Sequence, residues 1–183
     1  MDGDDDAIEC QSQLTQDLTR SGIPIHYVLM NVMRRYRKLD EESWLNHLPP
    51  EQRPVLPIPA GAPVYGKTEP DACTNPSFSF AVRHHWANNS DYRAAILWGA
   101  DMGACVLETA RTLKQEFDLD VYVVRDASVT QFNRDTVEAN YAAAGIKVID
   151  RSQIQFMGDD VVINPSTRAP TPPTQRGHPR LMR

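Results

Sequence analysis

Cys105 is the residue whose type and position best suit it to covalent chemistry. It comes a few residues after the apolar run Ala94 to Trp98 and the glycine at Gly99, and it opens a helical stretch over 104–117. Backbone N–H groups and the helix dipole at such a start favour a thiolate, which makes the sulfur a better nucleophile. The same N–H groups can hold the oxyanion of a tetrahedral acyl intermediate. Lys67, at the end of a short strand over 64–67, is a cation able to favour the thiolate further. Asp101 and Asp126 are carboxylates expected near the same rim. Each of these residues also has a plainer explanation. Cys105 suits a small buried position, Lys67 a solvated surface, and the two aspartates loop caps. His84 and His85 stand beside Trp86 at a predicted helix end and suit a C-terminal cap. His26 falls inside a strand and His47 stands alone, so neither joins a metal constellation.

The elements that must position these groups alternate between helices and short apolar strands. A helix is predicted from Ala7 to Ser21, with Ile8, Leu14 and Leu18 on one face and Gly22 as its stop. IPIHYVLM (23–30) reads as a buried strand. The run 34–38 is a solvated basic face, and a short helix over 41–48 carries Trp44. The prolines of 48–63 force an extended loop. Asn75 and Pro76 open a helix to Trp86 as N-cap and first-turn residue. After a turn at 88–90 come the strand 94–99, the cysteine helix, and a strand Val121 to Val124 that ends at Asp126. Thr136 to Ala144 forms the next helix, Gly145 stops it, and 146–150 and 161–163 are further strands. This alternation predicts an α/β fold of three layers, α/β/α and Rossmann-like, with a mainly parallel sheet. Ligands in such folds bind beyond the carboxyl ends of the strands.

Composition narrows the class. The chain has 183 residues, which suits a single domain, here read as 7–163. Residues 1–6 are too acidic to pack and are expected to be frayed. Residues 164–183 hold five prolines and four arginines without an acidic residue, the composition of a disordered tail. A net charge of −5 gives no reason to expect a nucleic-acid partner. No apolar run reaches the ~20 residues of a membrane helix, and the acidic start does not suit a standard signal or transit peptide. Three well-separated cysteines without a CxxC pair suit neither a disulfide scaffold nor a zinc site. Reduced thiols and a cytoplasmic location follow as expectations.

GADMGACVLETA (99–110), followed by VYVVRDASVT (121–130), resembles the isochorismatase-like cysteine hydrolases. Their Gly-x-x-Thr-x-x-Cys-Val turn follows a strand and precedes a long helix and a strand ending in Asp-Ala. SGIPIHYV (21–28), KTEPDAC (67–73) and EANYAAAGIKVIDRSQI (138–154) resemble the family's second strand, lysine segment and closing helix and strand. The resemblance covers about 10–155. It implies Cys105 as the nucleophile toward a small amide, ureide or vinyl ether, with Lys67 stabilising the thiolate. It implies the backbone amides of Asp101 and Cys105 as the oxyanion hole and Ala100–Asp101 as a cis peptide bond. No cofactor is implied, and the family's habit of assembling implies a homo-oligomer.

Three departures accompany the resemblance. The family's first strand, which ends in a catalytic aspartate and lies centrally between the strands at 23–30 and 94–99, is absent from the pattern. No residue is assigned to the role of that aspartate, and the chain reads as N-terminally short or diverged. Met102 stands where threonine is usual, and Asp101 where a small residue is usual. A carboxylate there would oppose charge developing at the oxyanion site. The Asp-x-His-x-x-His metal ligands of the nicotinamidase branch are missing, so no metal site is expected and nicotinamidase activity is disfavoured. Two other readings stand beside the hydrolase: an inactive family member serving as a binding or oligomerisation module, and an unrelated doubly wound domain with a structural Cys105.

Overall fold

The computed structural model describes residues 2–30, 56–88, 93–158 and 160–164. The basic run 34–38, the helix around Trp44, the turn at 89–90 and the tail from 165 onward lie outside the described residues.

The elements in chain order are α1 (Asp2–Arg20), β1 (Tyr27–Met30), β2 (Val64–Lys67), a 3₁₀ turn (Ala72–Thr74), α2 (Pro76–Asn88) and β3 (Ala94–Ala100). A π turn (Met102–Val106), α3 (Leu107–Glu116), β4 (Asp120–Val129), α4 (Arg134–Ala143) and β5 (Lys147–Ile149) follow. A second 3₁₀ turn (Arg151–Gln153) leads into the hairpin β6 (Ile154–Met157) and β7 (Asp160–Ile163).

Strand alternation builds the layers. On β3, Ala95 and Leu97 pack with Val121 and Val123 of β4 and Val148 of β5 against Leu107, Ala110 and Leu113 of α3 and Val137 and Tyr141 of α4. Their neighbours one position on (Ile96, Trp98, Tyr122, Val124 and Ile149) face the other way, onto Leu14 and Leu18 of α1. A period of two in the strands thus feeds two separate helical layers, and a spacing of four in α1 aims both leucines at one of them. The three-layer α/β/α architecture follows. Strands β3, β4 and β5 are parallel, as are β1 and β2, and β6 pairs antiparallel with β7.

The ends of α1 show how local chemistry sets boundaries. Gly22 has φ 66°, its N–H donates to Thr19 O, and Ile23 N donates to Leu18 O. These two bonds form a Schellman close, which needs a residue free to enter the left-handed region. The other end corrects an expectation: α1 begins at Asp2, not Ala7. The acidic residues Asp5 and Asp6 stand near its start, where carboxylates complement the positive end of the helix dipole.

Among the described residues the parallel strands form two separate sheets, β1–β2 and β3–β4–β5, and the β6–β7 hairpin is a third. Among the described residues, β1 pairs only with β2, and β3 pairs only with β4. The two open edges belong to the strands that the sequence resemblance places on either side of a first central strand. β4 also differs from expectation, since it continues through Asp126 to Val129. The hairpin partner β6 carries no clear strand pattern in the sequence.

Candidate active site

The turn that presents Cys105 is built by Asp101. The β3–β4 register slips between Leu97 and Gly99, and Gly99 takes φ 121°, a region open to glycine. The Ala100–Asp101 peptide bond is cis. The Asp101 carbonyl accepts from Ala104 N at 3.2 Å and from Val106 N at 3.1 Å. The second of these spans five residues and makes the turn a π turn, a rare geometry that recurs at functional sites. Cys105 therefore sits on a π turn ahead of α3, and not at the first position of a regular α-helix. Gly103, Ala104 and Val106 spend their N–H groups on Asp101. The amides of Asp101 and Cys105 are not among those three.

The Asp101 carboxylate does not hang over the thiol as a loose charge. Its Oδ1 accepts from Gly103 N at 2.7 Å and from Thr130 Oγ1 at 2.8 Å, and its Oδ2 accepts from Gln131 N at 3.3 Å. Three donors hold it toward the end of β4, so the cap explanation describes its role. Beneath the turn, the buried Tyr141 hydroxyl donates to Met102 O at 2.5 Å. Burial first, and the Asp101 charge second, push its phenol above the ordinary tyrosine range.

Gly103 leaves no room for a side chain. A Cβ there would lie 2.6 Å from Phe132 Cδ2, 2.9 Å from Val137 Cγ2 and 3.1 Å from Thr130 Oγ1. Phe132 is half exposed and can turn away, but Val137 is 3% exposed within α4 and cannot. Gly103→Ala is expected to cost about 1–3 kcal/mol, as overpacking of a filled interior does. Urea denaturation checks this, and an unchanged midpoint would remove Gly103 from the account of the turn.

Lys67 is buried, at 7% exposure, and its bland reading as a solvated lysine does not hold. Its Nζ donates to Pro70 O. Among the described residues it forms no ion pair with a carboxylate. A buried ammonium without a countercharge is costly, which leaves it suited to a thiolate or an anionic group of a ligand.

The loop that carries Lys67 is fastened to the cysteine helix by two threonines. Thr112 Oγ1 donates to Asp71 Oδ2 at 2.8 Å, and Asp71 Oδ1 in turn accepts from Cys73 N at 2.8 Å. One turn earlier, Thr109 Oγ1 accepts from Ala72 N at 2.9 Å and donates to Cys105 O at 2.8 Å. The lysine loop and the cysteine turn therefore meet across α3. Asn75 supports the loop from behind: its Oδ1 caps α2 by accepting from Ser77 N and Phe78 N, and its Nδ2 donates to Gly66 O at 2.7 Å. Neither Thr109 nor Asp71 stands out in the sequence. A threonine four residues after Cys105 suggests only a bond back to the preceding turn, and nothing in the spacing reveals its second partner.

Asp126 is elsewhere. It is exposed on β4, accepts from Arg151 N at 2.8 Å and stands beside Cys10 of α1. Its contacts are with Arg151 and Cys10, and β4 runs three residues past it. His84 is held by Asn88, whose Nδ2 donates to His84 O at 2.9 Å at the end of α2. Among the described residues, no group of three or more His, Cys, Asp or Glu is arranged to hold a metal ion.

The three cysteines are free and differ in environment. Burial first, then the Asp126 charge, pushes the Cys10 thiol up from 9.0 to about 11. Burial first, then Asp71, pushes Cys73 up from 9.0 to about 12. Both thiols hold their protons more tightly in the folded state. Their contribution to stability is complete below pH 9 and is lost as pH rises toward 11 and 12. The urea midpoint is expected to fall as pH rises above 9, and to fall less in a Cys10→Ser, Cys73→Ser protein, which lacks both titrations. Identical alkaline slopes for the two proteins would contradict these environments.

Comparison with known proteins agrees with this architecture. The isochorismatase domain family matches residues 1–153. The chain belongs to the isochorismatase family. Among solved structures, an isochorismatase family protein from Desulfovibrio vulgaris superposes with a TM-score of 0.61 at 17% identity, covering 80% of each chain. An isochorismatase from Pseudomonas putida gives 0.61 at 20% identity, covering 82% of this chain and 78% of its own. The nicotinamidase of Bacillus subtilis gives 0.57 at 15% identity, with coverage of 79% and 84%. At these identities the likeness concerns the fold, which is that of isochorismatase-type hydrolases. A search of curated proteins finds no match to the chain.

Proposed function

We propose that this protein is a cysteine hydrolase acting on a small amide, ureide or vinyl-ether substrate, with Cys105 as nucleophile and Lys67 as the cation that stabilises its thiolate. The observation that carries the reading is Lys67, a buried lysine with no carboxylate partner among the described residues, on a loop fastened to the Cys105 turn. For an amide, the Cys105 sulfur bonds to the carbonyl carbon, the C–N bond breaks, and the thiol proton leaves with the amine. Water then cleaves the thioester and restores the thiol. The amides of Asp101 and Cys105 are the proposed donors to the oxyanion, beside the cis bond at Ala100–Asp101. The Asp101 carboxylate, drawn off by three donors, offers less opposition there than its sequence position suggests. Purified protein incubated with a panel of small amides, ureides and vinyl ethers tests the reading. Turnover that survives Cys105→Ala would sink it.

Among the described residues β1 and β3 each have one unpaired edge, which favours a second reading, a family member that binds or assembles without turnover. A solved relative, YcaC from Escherichia coli, is described as an octameric hydrolase of unknown specificity; it shares 21% identity over 80% of this chain, with a TM-score of 0.54. We propose self-association for this chain too, measurable by light scattering. Among the described residues, no helix is long and apolar enough to cross a membrane. Free cysteines support placement in the reducing cytoplasm.

A further inference from the structure

Thr109 touches both halves of the site. Its side chain is buried, at 7% exposure, and its hydroxyl makes two bonds at once. The hydroxyl proton goes to Cys105 O at 2.8 Å, and an oxygen lone pair receives Ala72 N–H at 2.9 Å. Ala72 is 2% exposed, so without Thr109 its N–H would be buried and unpaired. Ala72 lies two residues past Pro70, the carbonyl that receives the Lys67 ammonium. Lys67, Pro70, Ala72, Thr109 and Cys105 thus form one connected path through a single hydroxyl.

We propose that Thr109 is a positioning residue that sets where the Lys67 ammonium stands relative to the Cys105 sulfur. The inference rests on the cysteine-hydrolase reading above and adds the residue on which its geometry depends. A purely structural threonine would also bond back to Cys105 O, as helix threonines commonly do. The bond to a second segment is what makes Thr109 more than that. Val has nearly the same shape and no hydroxyl, so Thr109→Val keeps the packing and removes the bond to Ala72, while the Thr112–Asp71 bond still holds the loop to α3.

The test follows Cys105 labelling by iodoacetamide at pH 6, resolved by peptide mass spectrometry. The folded proteins compared are wild type, Thr109→Val, Thr109→Ser, Lys67→Met and the Thr109→Val, Lys67→Met double variant. Ile149→Val, in the apolar layer facing α1, serves as a control for lost stability. Thr109→Val is expected to slow labelling about 10-fold, the scale of loss when reacting groups are misplaced. Thr109→Ser restores the rate, Ile149→Val leaves it unchanged, and Thr109→Val adds nothing to Lys67→Met. If Thr109→Val does not fold, Thr109→Ala carries the same comparison. A fast wild type with an equally fast Thr109→Val overturns this inference alone. So does a Thr109→Val loss that persists in full without Lys67. A wild-type Cys105 no faster than the same thiol in the urea-unfolded chain overturns the hydrolase reading, and this inference with it.

Discussion

Cys105→Ala is expected to lower turnover of any substrate this protein hydrolyses by about 10³-fold or more, the scale seen when a covalent nucleophile is removed. Steady-state kinetics on the purified variant measure it. The loss should come with little change in stability. Cys105 is only partly buried, and the bond it makes to Thr109 uses its carbonyl, which alanine keeps. The Asp101 cap and the Val106 bond that shape the π turn are also independent of the sulfur. A variant that retains turnover would show that the turn is scaffold. A variant that loses both turnover and stability would mean that the thiol is chiefly a packing group.

Lys67→Met separates function from structure more sharply, because the two effects should have opposite signs. Activity is expected to fall about 10²- to 10³-fold, the usual cost of deleting one group that stabilises charge at a reacting centre. Stability is expected to hold or to rise by up to about 2 kcal/mol, since methionine replaces a buried cation that has no countercharge among the described residues. The lost bond to Pro70 O subtracts about 1 kcal/mol from that gain. Parallel kinetics and urea denaturation read both quantities on one sample. A lysine kept for structure would give the reverse pattern, with a lower midpoint and intact turnover.

Much of the fold is legible in the sequence because it depends on local signals. Gly22 and Gly145 mark helix ends through positive φ, at 66° and 69°. Asn75 announces α2 by capping it, and the apolar runs at 94–98 and 121–124 are strands. The signals that misled were also local. Asp5 and Asp6 look too polar for a helix, but a helix start accommodates their charge. Asp126 looks like a strand end, yet pairing of Gly99 with Ser128 and Ala100 with Val129 carries β4 past it. Those bonds come from a strand some thirty residues away, which no window around Asp126 contains.

The candidate site divides in the same way. Cys105 is legible because a cysteine after a strand and a glycine turn is a local pattern. The burial of Lys67 is not, since it goes with a loop that brings Pro70 O to its ammonium and docks through Asp71 and Ala72 on α3. Asp101 is legible as a cap, but the partners that draw its carboxylate away, Thr130 and Gln131, come from the far end of β4. Thr109 is the clearest case. Its residue type and spacing predict one bond correctly, and its second bond exists only in the folded chain.

The measurement closest to the central claim is the rate at which each cysteine of the folded wild-type protein reacts with iodoacetamide at pH 6. Cys10 and Cys73, pushed up to about 11 and 12, should remain almost unlabelled. Cys105 should react at least about tenfold faster than either, as the thiolate and not the thiol is the nucleophile. It should also outpace the same residue in urea and lose that advantage in Lys67→Met. A Cys105 that labels no faster than Cys10 and Cys73 would contradict its assignment as the nucleophile.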